Sequence, residues 1–289
     1  MTNKKLQAKR LLIFLFFAFA LSWIPAIIFN ETIGYHNWFE TYKVPVTFWI
    51  VGFGPALANI ITRKLTHEDW HDSMLHLNFK SGWKYYLAAL FLIVFISIIQ
   101  GILTTIVYGN NDWSDFGKYY NWKQVTSSVL MIFATAPLMA FNTFGEEFGW
   151  RGYMNQKLEP LIGTTGAVIV GGIIWGLWHA ELTVEGHNFG TDYPGFPYIG
   201  ILAMCIICTF EGILLMWVTK KSGSIYPAAI MHAMINFGGN NIGNFFICGI
   251  PEDFNPTMSQ WFVMNIPTYV ISIAILIIML MDNKNKKTT

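Results

Sequence analysis

An all-α, polytopic membrane protein is the fold class this sequence predicts, and three observations carry it. Only 12% of the 289 residues are charged and 54% are hydrophobic, whereas soluble domains carry about 25% charged residues. So few charges do not cover a water-soluble globule of this size. Aromatic residues reach 17%, which suits a chain with many lipid–water interfaces. Apolar stretches of about twenty residues, the length that crosses a bilayer as a helix, recur along the chain. This composition excludes an ordinary cytosolic enzyme, a disordered chain and a nucleic-acid binder. A net charge of +1 implies no strongly charged partner, and three cysteines are too few for a disulfide scaffold.

Eight spans follow in order. Leu11–Phe29 is longer than the apolar region of a signal peptide and lacks a small-residue cleavage site after it, so it is kept as a span. Val44–Ile61 and Tyr85–Tyr108 come next. Val125–Phe148 and Thr164–His179 form a hairpin through Glu159-Pro160-Leu161-Ile162-Gly163, where Pro and Gly close together break a helix. Tyr198–Val218 and Ile225–Phe246 flank Lys221-Ser222-Gly223, and Trp261–Met281 is the last. Residues 1–289 thus read as a single transmembrane domain, without a soluble domain or an internal repeat.

Lysine and arginine orient the bundle, because cytoplasmic loops are enriched in them. Lys4, Lys5, Lys9 and Arg10 precede span one, and Arg63, Lys64, Lys80 and Lys84 follow span two. Arg151 and Lys157, then Lys220 and Lys221, then Lys284, Lys286 and Lys287 mark the same side. The alternate loops hold Glu31, Glu40, Asp112, Asp115, Glu181, Glu185, Asp192, Glu252 and Asp253, with Lys43, Lys118 and Lys123 their only basic residues. The expectation is a multi-pass protein of the cell membrane with both termini cytoplasmic.

A charge at bilayer depth costs at least ~2.5–3.5 kcal/mol, so ionisable residues there are functional candidates. They are Glu146, Glu147, Arg151, His179, Glu211 and His232. Five such groups on three helices exceed what interhelical clamping needs. Glu147 and Arg151 are four apart, share a helical face and can pair; Glu146 points roughly 100° away and stays free for chemistry. Trp175 and His179 share a face in the same way, as do His232 and Asn236. If the fourth helix runs on through Gly152–Leu158, Glu146 and His179 both stand roughly 20 Å up the hairpin, and His232 roughly 12–15 Å above its own turn. The three then meet in one intramembrane cavity, expected on the cytoplasmic side.

One free carboxylate, two imidazoles and an amide in an apolar box suggest hydrolysis. A desolvated Glu is a better base near neutrality. Glu146 can take a proton from water, His179 can share it or position the water, and His232 and Asn236 can donate to an oxyanion. The same Glu146, His179 and His232 would also make a catalytic zinc set, two His and one Glu with an open position. Both mechanisms are open to these residues. The metal-free version is favoured, because intramembrane Zn2+ wants three fixed ligands with further support behind them.

Glu146-Glu147-x-x-x-Arg151, Trp175-x-x-x-His179 and His232-x-x-x-Asn236 resemble the three motifs of the CPBP family, the CAAX prenyl protease and bacteriocin-processing proteins, also called Abi. The resemblance covers about 125–246 and includes the approach Lys221-Ser222-Gly223-Ser224-Ile225 to the third motif. Trp175 departs from the family's usual Phe. The resemblance implies an intramembrane endopeptidase of the glutamic or metal-dependent kind. It implies Glu146 as base, His179 as its partner, His232 and Asn236 as oxyanion donors and Glu147–Arg151 as a structural pair, with Trp175 in support. The partners implied are the lipid bilayer and a peptide or lipid-anchored protein substrate. The alternatives are a catalytically silent immunity or scaffold protein, which would lose a motif residue, and a transporter, which would show repeated halves; neither sign is present in the sequence.

Other signals carry less. His67-Glu68-Asp69-Trp70-His71 matches the zinc-protease pattern H-E-x-x-H, but it stands in a charged loop and is expected to be a solvated interfacial helix. Cys205-Ile206-Ile207-Cys208 is expected to be buried packing, since a redox pair wants water and positive charge. Glu211 is expected to clamp a neighbouring helix, and Gly171-Gly172 to let two helices approach.

Overall fold

The structure is a computed structural model that describes residues 2–37, 45–109, 112–114, 122–251 and 254–288. Glu40, Lys43, Asp115, Lys118, Glu252 and Asp253, used in the orientation argument, and Val44 lie outside the described residues. Among the described residues every regular element is helical. They are α1 (Thr2–Thr32), α2 (Pro45–Gly52), α3 (Gly54–Leu65), α4 (Phe79–Tyr108), α5 (Trp122–Gly149), α6 (Asn155–Trp178), α7 (Ala180–Thr183), α8 (Tyr198–Ser222), α9 (Tyr226–Phe237), α10 (Met258–Met264) and α11 (Ile266–Thr288). A π turn, Trp150–Met154, joins α5 to α6, and a 3-10 segment, Gly239–Phe246, follows α9.

Five helical stretches are long and apolar enough to cross a membrane: 4–32, 79–108, 122–178, 198–222 and 266–284. The third is 57 residues long and contains expected spans four and five. Its fold-back is at Gly163, whose φ of 75° and ψ of 172° break the helix as the Pro160–Gly163 pattern predicts. Five of the eight expected spans are therefore continuous helix, and the second, seventh and eighth are not; the eighth is interrupted at Asn265, between α10 and α11. The second breaks at Phe53 between Gly52 and Gly54, where a Cβ on Gly54 would lie 2.1 Å from Ser22 Oγ of α1. The seventh stops at Gly238, with φ of 141°, and the chain then packs flat on α4. There Ser97 Oγ accepts from the Gly243 N–H at 2.7 Å and Thr105 Oγ1 donates to the Phe246 carbonyl at 2.9 Å.

Small residues set the helix spacing, as is usual where lipid removes any hydrophobic drive between helices. Gly172 faces Thr209 and Gly176 faces Cys205, where a Cβ would come within 2.3 Å and 2.4 Å of backbone atoms of α8. Gly172 thus serves the packing role expected of the Gly171-Gly172 pair, with Gly176 as its partner one turn on.

Ionic contacts gather at one end of the bundle. Glu159 beside the Gly163 fold-back pairs with Lys220 at the end of α8, and Lys221 pairs with Asp282 of α11. At the same end a buried network anchors the loop after α3: Lys157 Nζ donates to Glu68 Oε2 at 2.5 Å, Arg10 Nε lies 3.3 Å from Glu68 Oε1, and Arg63 Nη1 donates to Asp72 at 2.7 Å.

Candidate active site

The π turn follows directly on Glu146 and Glu147. A π turn admits one extra residue per turn and often marks a functional site. Asn59 Nδ2 of α3 donates to the Phe148 carbonyl beside it at 2.8 Å. Arg151 Nη1 reaches Glu147 Oε1 at 3.1 Å, the expected i,i+4 pair, with both side chains buried. Two further contacts of this pair escape sequence reasoning. His232 Nδ1 lies 2.8 Å from the same Glu147 oxygen, and the Arg151 guanidinium stacks 4.1 Å from the Trp175 ring centroid. Glu147 therefore joins α5 to α9, while Arg151 joins it to α6.

Glu146 turns away from that pair, as its position one residue earlier on the helix dictates. It is buried, and its Oε2 accepts from the Trp175 indole N–H at 2.8 Å. Trp175 is thus the side chain that orients Glu146. Phenylalanine, the residue expected from the resemblance, has no N–H to offer. His179 ends α6 with its Nδ1 2.9 Å from the Trp175 carbonyl. A carbonyl only accepts, so Nδ1 carries the proton and Nε2 is the acceptor in the neutral ring. Trp178 packs edge-on against His179 at 4.9 Å and Trp175 edge-on against His232 at 5.2 Å.

Glu146, Trp175, His179, His232 and the exposed Asn236 line one cavity of about 420 Å3. All the residues expected at its wall are there, whereas Glu147 and Arg151 stand behind it. Residues the sequence did not single out complete the wall: His187, Asn188 and Phe189 from the connection after α7, Trp261 of α10, and Met204 and Ile207 of α8. Only their position in space identifies them.

The cavity lies away from the basic end of the bundle, not beside it. His179 is sixteen residues past Gly163, roughly 24 Å at 1.5 Å per residue, which is beyond the midplane of a ~30 Å hydrocarbon core. The cavity residues of α8 run from Met204 to Glu211, near its middle and at least nine residues from Lys220, and those of α9 occupy its second half, away from Gly223. Glu146 and His179, seventeen and sixteen residues from Gly163, stand at the common height that the sequence assigns them.

The rival motif is also corrected. His67–His71 is a turn rather than a helix, with His67 at a φ of 53°, so its two imidazoles do not share a helical face. Glu68 is buried in the ionic network. Burial pushes its carboxyl up, but hydrogen bonds from Lys157 and Tyr153 outweigh that and hold it below the ordinary value. Cys205 and Cys208 are buried free thiols, as expected. Among the described residues no three His, Cys, Asp or Glu side chains gather to hold a metal ion. Glu146, His179 and His232 share the cavity, but as arranged they do not fit a common ion.

Known proteins share this core. A sequence model of the Rce1-like family, Type II CAAX prenyl endopeptidases, matches residues 124–238. The chain is 30% identical over 154 residues to CAAX prenyl protease 2 of Methanococcus maripaludis, which covers 50% of this chain and 52% of that protein. It is 29% identical over 161 residues to Lysostaphin resistance protein A of Staphylococcus haemolyticus, covering 52% and 41% respectively. The aligned part of the chain spans about half the length of these relatives. No solved structure matches. The matched core is the segment that brings the three motifs onto one cavity, and it is this part of the chain that is similar to the Rce1-like family.

Proposed function

We propose that the chain is an intramembrane endopeptidase of the CAAX-protease kind, with Glu146 as general base. The observation that carries this reading is the convergence of Glu146, His179, His232 and Asn236 on one cavity from three helices. The indole of Trp175 holds one oxygen of Glu146 and leaves the other for a water in the cavity. That water attacks the peptide carbonyl as Glu146 takes its proton, with His179 Nε2 as a second acceptor that aligns the water. Negative charge grows on the carbonyl oxygen. His232 donates to it from Nε2 as an imidazolium, whose Nδ1–H is held by Glu147, and Asn236 donates from its amide. Collapse of the intermediate breaks the C–N bond, and the proton held by Glu146 passes to the departing nitrogen. The favoured mechanism uses no metal.

The lysine and arginine asymmetry supports a multi-pass protein of the cell membrane with cytoplasmic termini. With that orientation the cavity faces the outer half of the membrane. The substrate is then a membrane-associated or peptide substrate whose scissile bond is presented there. The Lysostaphin resistance protein A relative favours a second reading, a catalytically silent immunity or scaffold protein. The full set of polar groups at the cavity favours the enzyme.

Cleavage of a quenched-peptide panel and a prenylated CAAX peptide by protein purified in detergent tests this. Cleavage by the wild type that Glu146→Gln abolishes is the expected result. Cleavage that persists undiminished in Glu146→Gln overturns the assignment. Loss on chelation with recovery on added zinc overturns the metal-free mechanism.

A further inference from the structure

Glu211 is the one carboxylate at the cavity wall that the mechanism does not use. On α8, Met204, Ile207, Cys208 and Glu211 follow the i, i+3, i+4, i+7 spacing of a single helical stripe, and all four line the cavity. Glu211 is the member of that stripe furthest from the outer end of α8, so it stands at the cavity floor. The clamp expected for it is absent: among the described residues its carboxyl makes no hydrogen bond and no ion pair. The cations whose field it feels are His232 and Arg151, and both are already engaged by Glu147. Glu146, by contrast, has its indole donor.

A second observation concerns the wall as a whole. Its ionisable members are Glu146, Glu211, three histidines and the Cys208 thiol, with no Lys or Arg. A substrate that presents a free carboxylate near the scissile bond meets no permanent cation there. A substrate that presents a cation meets a carboxylate without a partner. On the outer side of Glu211 the stripe is formed by Cys208, Ile207 and Met204, an apolar wall against which an aliphatic stem can lie. Lysine and arginine bury such stems against apolar surface and keep the charge at the tip.

We propose that Glu211 is a specificity-determining residue that takes up the charged tip of a lysine or arginine side chain in the substrate. The inference rests on the protease reading above for its setting, but the binding it describes does not require cleavage. The incoming cation supplies the counter-charge that the fold withholds from Glu211. An unpaired charge at this depth is costly, so a basic residue gains over a neutral one of the same length.

The test uses the full-length protein in lipid nanodiscs and fluorescently labelled dodecapeptides carrying lysine, norleucine or glutamate at each position in turn. Anisotropy reads binding, and mass spectrometry of the same peptides reads cleavage. At one position the lysine peptide is expected to bind tenfold or more tighter than the norleucine peptide, with glutamate weakest. Glu211→Gln removes that preference and leaves norleucine binding unchanged, whereas Glu211→Asp keeps part of it. Equal binding of lysine and norleucine peptides by the wild type overturns the proposal, as does a preference that survives in Glu211→Gln. A loss in Glu211→Gln that is equal for every peptide also overturns it, and points to a role in proton transfer. The wild-type comparison stands even if Glu211→Gln does not fold. Lysine-selective binding without any cleavage leaves this proposal intact and strikes the protease reading alone.

Discussion

Arg151→Ala tests the architecture behind the cavity. The guanidinium is 2% exposed and is held by two contacts, the 3.1 Å ion pair to Glu147 and the 4.1 Å stack on Trp175. Removing it leaves Glu147, which is fully buried, with only His232 as a partner. Breaking a buried pair by deleting one member costs about 3–5 kcal/mol, because the other charge is stranded. Loss of a desolvated cation–π stack adds up to ~2 kcal/mol. The remaining His232 contact offsets part of this, so a net loss of about 3 kcal/mol is expected. Glu146→Ala removes a buried carboxylate whose one hydrogen-bond donor among the described residues is the Trp175 indole. It loses one hydrogen bond, about 1 kcal/mol, and removes the desolvation cost of the acid, so its net effect is within about 1 kcal/mol. Equilibrium unfolding in mixed detergent with increasing SDS measures both. A double-mutant cycle of Arg151→Ala with Glu147→Ala should show a coupling of at least ~2 kcal/mol, near the upper end for contacting residues. The reasoning is refuted if Glu146→Ala unfolds the protein more readily than Arg151→Ala, or if the cycle shows no coupling.

Asn236→Ala should lower kcat roughly 10²–10³-fold with the fold intact, if it supplies one of several oxyanion donors; an effect under threefold removes it from the site. Replacement of both His67 and His71 by Ala should leave cleavage within a few fold, while Glu68→Ala lowers the unfolding midpoint because Lys157 and Arg10 lose their shared acceptor. The opposite pattern would move the chemistry to the loop after α3. Stability should also vary with pH through Glu181, which lies beyond the end of the spanning helix with its carboxyl pushed up to about 7 by burial and by Glu185. Between the ordinary value of 4.5 and about 7 the folded chain holds a proton that the unfolded chain has released. Its contribution is thus fully present below the lower value and is lost as pH rises through the upper one. Glu68 and Asp72, held below their ordinary values by Lys157, Tyr153 and Arg63 against the opposing effect of burial, act in the reverse sense, and their stabilisation is lost in acid. Glu181→Gln should flatten the slope above pH 4.5 and leave the acid limb unchanged in a pH series of unfolding midpoints; an unchanged slope would remove Glu181 as its source.

What the sequence makes legible is what repeats along a helix. Length and apolarity mark α1, α4, α8 and α11, and a four-residue interval pairs Glu147 with Arg151 and turns Glu146 away. Pro160 and Gly163 place the fold-back, and counting residues from it puts Glu146 and His179 at one height. Breaks that depend on a partner helix are not legible in this way. Gly54 opens α3 at a point where Ser22, thirty-two residues earlier, approaches too closely for a Cβ. Gly243 flattens the seventh span because Ser97 takes its N–H. The same distinction separates the two misplaced carboxylates. Glu68 sits in a stretch of charge and reads as solvated, yet Lys157 and Tyr153, more than eighty residues later, enclose it. Glu211 sits in an apolar helix and reads as a clamp, yet among the described residues no side chain of another helix hydrogen-bonds or ion-pairs with it. A local pattern reports the cost of burying a charge, whereas the group that offsets the cost is fixed by packing between distant segments. Where the fold provides that group, as for Glu68, the charge is structural. Where the fold leaves it out, at the floor of a cavity, the missing partner is the strongest indication of what enters.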